Sequence, residues 1–256
     1  MAETGRKGLD PNDNILSSMK EDEQLIAIIV GIIVILITLG IFVLWRKKKH
    51  SRRSVLLMGL CDSGKTLIFS RILENMYVMT HTSMKENVGE FVSKKGSLKV
   101  VDIPGHERIR NKFFDQHKTS ARGIIYVIDS VTIQKELRDV AEFLYNLLTD
   151  PMVNSHCVPL AIVCNKQDQT IAKGSTVIRN LLEKEMNMLR VTKSNQLQST
   201  VEASNNNTFL GKQGKDFNFD HLYPIKVEFF ESTALNKNPD NPPDVDSITS
   251  WLHKVA

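Results

Sequence analysis

Residues Gly59-Leu60-Cys61-Asp62-Ser63-Gly64-Lys65-Thr66 spell G-x-x-x-x-G-K-T, between the strand-length apolar run Val55-Leu56-Leu57-Met58 and a helical pattern from Leu67 to Leu73. Few folds accommodate such a loop, because it must turn tightly between strand and helix while aiming successive backbone N–H groups at one point. Gly59 and Gly64 allow the turn and a close backbone approach. Lys65 is long enough to reach the outer phosphates of a nucleotide, and the Thr66 hydroxyl is the expected ligand of Mg²⁺. Cys61, Asp62 and Ser63 contribute backbone donors, and Leu60 and Leu67 complete the candidate phosphate-binding run.

A second feature lies upstream. From Leu25 to Trp45 every residue is apolar except Thr38, apart from glycines at positions 31 and 40. A helix of that length is about 31 Å long and matches a bilayer core. A cleavable signal peptide would have a basic start and a shorter apolar stretch. Here acidic Glu21-Asp22-Glu23 precedes the run and Arg46-Lys47-Lys48-Lys49 follows it. That asymmetry predicts a lumenal tail over 1–24, a transmembrane helix over 25–45, a basic juxtamembrane linker over 46–54 and a cytosolic domain over 55–256. The basic cluster suffices as a stop-transfer signal and is also suited to anionic lipid. Away from this cluster the chain is slightly acidic despite a formal charge of +4, so no direct nucleic-acid site is expected. Cys61, Cys157 and Cys164 show no C-x-x-C spacing and fit free thiols in a reducing compartment.

Downstream, Gly89 to Asp102 reads as two strands joined at Lys95-Gly96, and Gly123 to Asp129, Val158 to Cys164 and Ile225 to Phe230 are apolar runs of strand length. Helical patterns occupy Gln134 to Leu148, Ser175 to Leu189 and Ser247 to Val255. This alternation predicts an α/β fold, a doubly wound mostly parallel sheet with ligand at the carboxyl ends of the strands. Residues 192–216, rich in Ser, Asn, Gln, Gly and Lys, are expected to form a flexible insertion.

Two further motifs stand at strand ends. In Asp102-Ile103-Pro104-Gly105-His106 the carboxylate can hold Mg²⁺ through water while the Gly105 amide meets a γ-phosphate. In Asn165-Lys166-Gln167-Asp168 the Asp168 carboxylate can accept from both N1–H and the 2-amino group of guanine, a donor pair adenine lacks. Lys166 would lie along the base plane, and Thr233 and Ala234 in Ser232-Thr233-Ala234 stand where a backbone N–H reads the guanine carbonyl. D-I-P-G-H resembles the corresponding motif of GTPases that carry a Gln or His at its last position, and that resemblance makes His106 the candidate catalytic residue, positioning water. With no evident cationic finger in the sequence, hydrolysis of GTP to GDP is expected to be very slow.

The four elements in this order resemble the small Ras-like GTPases over Val55 to Ala256, and the phosphate loop is similar to that of the Arf-like branch. The tail, span, basic cluster, L-C-D-S-G-K-T, D-I-P-G-H-E, V-A-E-F-L-Y and C-N-K-Q-D together resemble the signal recognition particle receptor β-subunit family. That resemblance implies a P-loop GTPase fold on one N-terminal transmembrane helix of the endoplasmic reticulum membrane. It also implies a GTP-bound form that holds the receptor α subunit there, so that ribosomes reach the translocon. It further implies that Thr80-His81-Thr82-Ser83 is the first switch segment, with Thr82 contacting Mg²⁺ and γ-phosphate. An Arf-like trafficking GTPase or another P-loop NTPase is the alternative; the full span and N-K-Q-D, respectively, argue against these.

Overall fold

The computed structural model describes residues 31–42, 52–199, 210–235 and 242–256, and the chain divides into two units, 1–51 and 52–256. In the first unit residues 31–42 are helical, and the Thr38 hydroxyl donates to Ile35 O at 2.9 Å, which satisfies the one polar side chain of the apolar run within its own helix. Among the described residues no helix is long and apolar enough to cross a membrane. The expected tail over 1–24, the ends of the expected span at 25–30 and 43–45, and linker residues 46–51 lie outside the described residues.

The second unit is built on six strands: β1 (Ser54–Met58), β2 (Asn87–Ser93), β3 (Gly96–Asp102), β4 (Ala121–Asp129), β5 (Leu160–Asn165) and β6 (Val227–Glu231). Their order is β2-β3-β1-β4-β5-β6, with only β2 and β3 antiparallel. The chain crosses from one side of β1 to the other between β3 and β4, so the loop after β1 opens at the switch point where such sheets bind ligands.

Strand β1 shows why the apolar runs do not alternate. Leu56 and Met58 enter the core on one face, Val55 and Leu57 the core on the other, and all four are fully buried. Helices α1 (Lys65–Glu74) and α6 (Asp246–Val255) cover one face through Ile68, Ile248, Trp251 and Leu252. The opposite face receives α2 (Glu107–His117), α3 (Ile133–Thr149), α4 (Pro151–His156) and α5 (Ser175–Ser199).

Gly123 in β4 sets the depth of α6, since a Cβ there would stand 2.8 Å from Cη2 of Trp251, a side chain buried to 2% exposure. Gly123→Val is therefore expected to destabilise the domain by about 2 kcal/mol through overpacking. Urea unfolding measures this, and an unchanged midpoint contradicts it.

The structure corrects several element readings. Helices α2 and α4 were not anticipated, and α5 continues past Leu189 to Ser199 into the segment expected as an insertion. The return of that segment is pinned. Buried Arg190 donates to Leu210 O at 3.4 Å, Lys212 O at 3.2 Å, Lys215 O and Asn187 Oδ1, while Leu210 and Phe217 enter the core. Residues 200–209 lie outside the described residues.

Candidate functional site

The loop after β1 takes the conformations its glycines permit, with φ of 142° at Gly59 and 92° at Gly64. A Cβ at Gly59 would strike Val127 O at 2.2 Å, and one at Gly64 would strike Asn165 Nδ2 at 2.3 Å. Asp62, exposed with φ 59°, occupies the left-handed region that Asp tolerates better than most residues. Lys65 opens α1 and is buried, its ammonium donating to Leu60 O at 2.6 Å inside the loop it serves. Burial lowers its pKa, against the attraction of Asp102.

The cation corner lies beside it. Thr66 Oγ1 donates to Asp102 Oδ2 at 2.8 Å, Asn87 Nδ2 donates to the same oxygen at 2.9 Å, and Ser83 Oγ stands 3.4 Å from Thr66 Oγ1. Asp102 Oδ1 is buried and has no hydrogen-bond partner among the described residues. Burial raises the Asp102 pKa, and the bonds from Asn87 and Thr66 oppose it. A vacant carboxylate oxygen among hydroxyls fits a hard divalent cation that retains several waters. Cys61, Asp62, Gly64, Thr80, His81, Thr82, Ser83 and Gly105 line the same cleft. Gly105 is pressed onto the phosphate loop: a Cβ there would be 2.6 Å from Cys61 N and 2.7 Å from Leu60 C.

The end of the cleft expected to meet the base is assembled around Asn165, the last residue of β5. Its Nδ2 donates to Ser63 O at 2.9 Å, and its Oδ1 accepts from Ser232 Oγ at 3.2 Å and Ala234 N at 3.3 Å. Lys166, at φ 67°, donates to Asp129 Oδ2 at 2.6 Å, so its stem is fixed from below. Asp168 follows on the same loop, half-buried, and Thr233 is held by paired backbone bonds to Asp244. Arg71, buried in α1, donates to Ala234 O at 3.2 Å and ties that loop to the first helix.

A family described as signal recognition particle receptor beta subunit matches residues 50–226. The chain belongs to that family. The human signal recognition particle receptor subunit beta is 41% identical over 239 residues, spanning 92% of this chain and 88% of the human one. The solved structure of the mammalian SRP receptor matches at 42% identity and a TM-score of 0.69, covering 80% of this chain and all of that one. The SRb-GTP/SRX complex of the signal recognition particle receptor from Chaetomium thermophilum, at 19% identity and a TM-score of 0.61, covers 78% of this chain and 99% of that one and shares the fold.

In this member of the signal recognition particle receptor beta subunit family, two expected site residues sit differently from the rest. His106 caps α2, its Nδ1 accepting from Arg108 N at 3.3 Å, and its side chain is exposed rather than among the cleft-lining groups. Thr82 lines the cleft, yet the hydroxyl facing Thr66 belongs to Ser83. Sequence reasoning passed over Asn87, Asp129 and Arg71. Asp129 alone carried a signal, as a charged residue closing an apolar strand.

Proposed function

We propose that this chain is a membrane-anchored GTP switch whose GTP-bound form holds the receptor α subunit at the endoplasmic reticulum membrane, the domain lying in the cytosol. The observation that carries the reading is Asn165, which braces the phosphate loop and the base loop with one side chain. The span over 25–45 supplies the anchor, and GTP selection rests on Asp168. Thr66, Asp102 and Thr82 or Ser83 would hold Mg²⁺, directly or through water. When bound, the ion would neutralise charge on the β- and γ-phosphates. Lys65 holds the outer phosphates, and the Gly105 amide registers the γ-phosphate.

Affinity capture from detergent-solubilised membranes tests the partner. A large peripheral GTPase is expected with the GTP-analogue-loaded chain and much less with the GDP-loaded chain. Equal recovery in both states contradicts a nucleotide switch.

Hydrolysis is expected to be very slow, because His106 is committed to capping α2 and stands at the surface. A water-positioning group must hold its water in line with the γ-phosphate. Single-turnover cleavage of GTP by the isolated chain is the measurement. His106→Ala should change that rate less than about tenfold, below the range for a working general base.

A further inference from the structure

The parallel strands run from one end of the sheet, where the chain enters at Arg52, toward the nucleotide cleft at the other. At the entry end, Lys94 and Lys95 at the β2–β3 turn line one pocket with His253 and Lys254 of the last turn of α6. Packing builds this surface: the His253 ring lies 5.0 Å from that of Phe91, and its Nδ1 is 2.9 Å from Ser93 Oγ. Arg53, Lys94, Lys95 and Lys226 are exposed at this end and make no ion pair among the described residues. Lys254 has only a long contact with Glu228, at 3.7 Å.

We propose that this end of the domain is a docking surface for anionic lipid headgroups, in addition to the juxtamembrane cluster. The inference rests on the membrane reading above. Six residues separate Trp45 from Arg52, a stretch of chain that reaches at most about 25 Å. The cleft lies at the opposite end of the sheet from Arg52, which leaves it free for nucleotide and partner. A lipid surface fits better than RNA because Val92, two residues before Lys94, is 76% exposed, and Tyr223, three before Lys226, is 86% exposed. An aliphatic side chain gains from a headgroup–acyl boundary and nothing from a phosphate backbone, and tyrosine favours that boundary. Cations beside such groups add attraction that short-range screening removes.

Amine-reactive footprinting of the full chain in nanodiscs tests this, comparing neutral phosphatidylcholine with a phosphatidylcholine–phosphatidylserine mixture. Labelling of Lys94, Lys95 and Lys254 should fall severalfold in anionic discs and recover in about 0.5 M salt. Exposed Lys184 and Lys215, which line a separate pocket with Asn180 and Asp216, should be unaffected. Equal labelling in both discs, or protection of the three lysines by RNA but not by anionic lipid, overturns the proposal. A chain that fails to enter discs counts against the span instead. The surface is then read by flotation with phosphatidylserine vesicles, where K94Q/K95Q/K254Q should weaken binding about 100-fold. Undiminished binding by that variant overturns the surface even if the span is absent.

Discussion

Asp168→Asn is expected to exchange one purine for another. A carboxylate offers two acceptors, which match the N1–H and 2-amino donors of guanine. An amide offers one acceptor and one donor, which match N1–H and the 2-oxo group of xanthine. Because Lys166 is fixed by Asp129 and Asn165 by three hydrogen bonds to two loops, the half-buried Asp168 that follows has little freedom to turn away. A site built around specific hydrogen bonds rejects an ill-matched base strongly, so GDP affinity should fall about 1,000-fold while xanthosine diphosphate becomes the preferred ligand. Competition against a fluorescent guanine nucleotide measures both. Guanine affinity within tenfold of the parent would remove Asp168 from the base site.

Lys65→Met should move two measurements in opposite directions. Loss of the ammonium removes a charge-assisted bond to phosphate, and nucleotide affinity should drop about 100-fold. The ligand-free protein should nevertheless become more stable. Lys65 is desolvated beyond what Asp102 compensates, which is why its pKa in the fold lies below the ordinary 10.5. A lysine whose folded pKa is depressed destabilises the fold fully below that folded value, where it is charged in both states. The penalty vanishes as pH rises past 10.5, where both states are neutral. Leu60 O keeps its bond from Ser63 Oγ at 2.9 Å, so methionine leaves no orphaned acceptor. Replacing the net-disfavoured buried charge by an apolar chain should raise stability near neutral pH, with the gap to the parent closing in alkaline buffer. Thermal unfolding of the nucleotide-free protein across that range decides it, and a variant less stable than the parent at pH 7 contradicts the argument.

The sheet was legible because its strands are buried on both faces, so β1, β4 and β5 stand out as unbroken apolar runs. The motifs at their carboxyl ends fell into place with them. Helix α2 was not legible, since it lies on the surface with Phe114 as its one buried residue and therefore carries little periodic signal. Helix α4 had left a readable mark. Asp150 precedes Pro151, and its carboxylate accepts from Met152 N at 2.8 Å and Val153 N at 3.3 Å, an N-cap followed by proline at N1. At the borders of the expected insertion, composition registers the polar residues and misses the clamp: one buried arginine collects three carbonyls remote in sequence. Asn87 escaped for a similar reason. It meets Asp102 through tertiary approach, which no local pattern encodes.

The Asn165 brace also bears on fragments of the ligand. The base loop and the phosphate loop share one amide, so neither can be ordered without setting the other. Guanosine alone or pyrophosphate alone must bear the whole ordering free energy of both loops while contacting one of them. The intact nucleotide meets that requirement once, and the second half then binds as if at high effective concentration. Its affinity should therefore exceed the product of the two fragment affinities, and a chain stripped of nucleotide should be loosened at both ends of the cleft together.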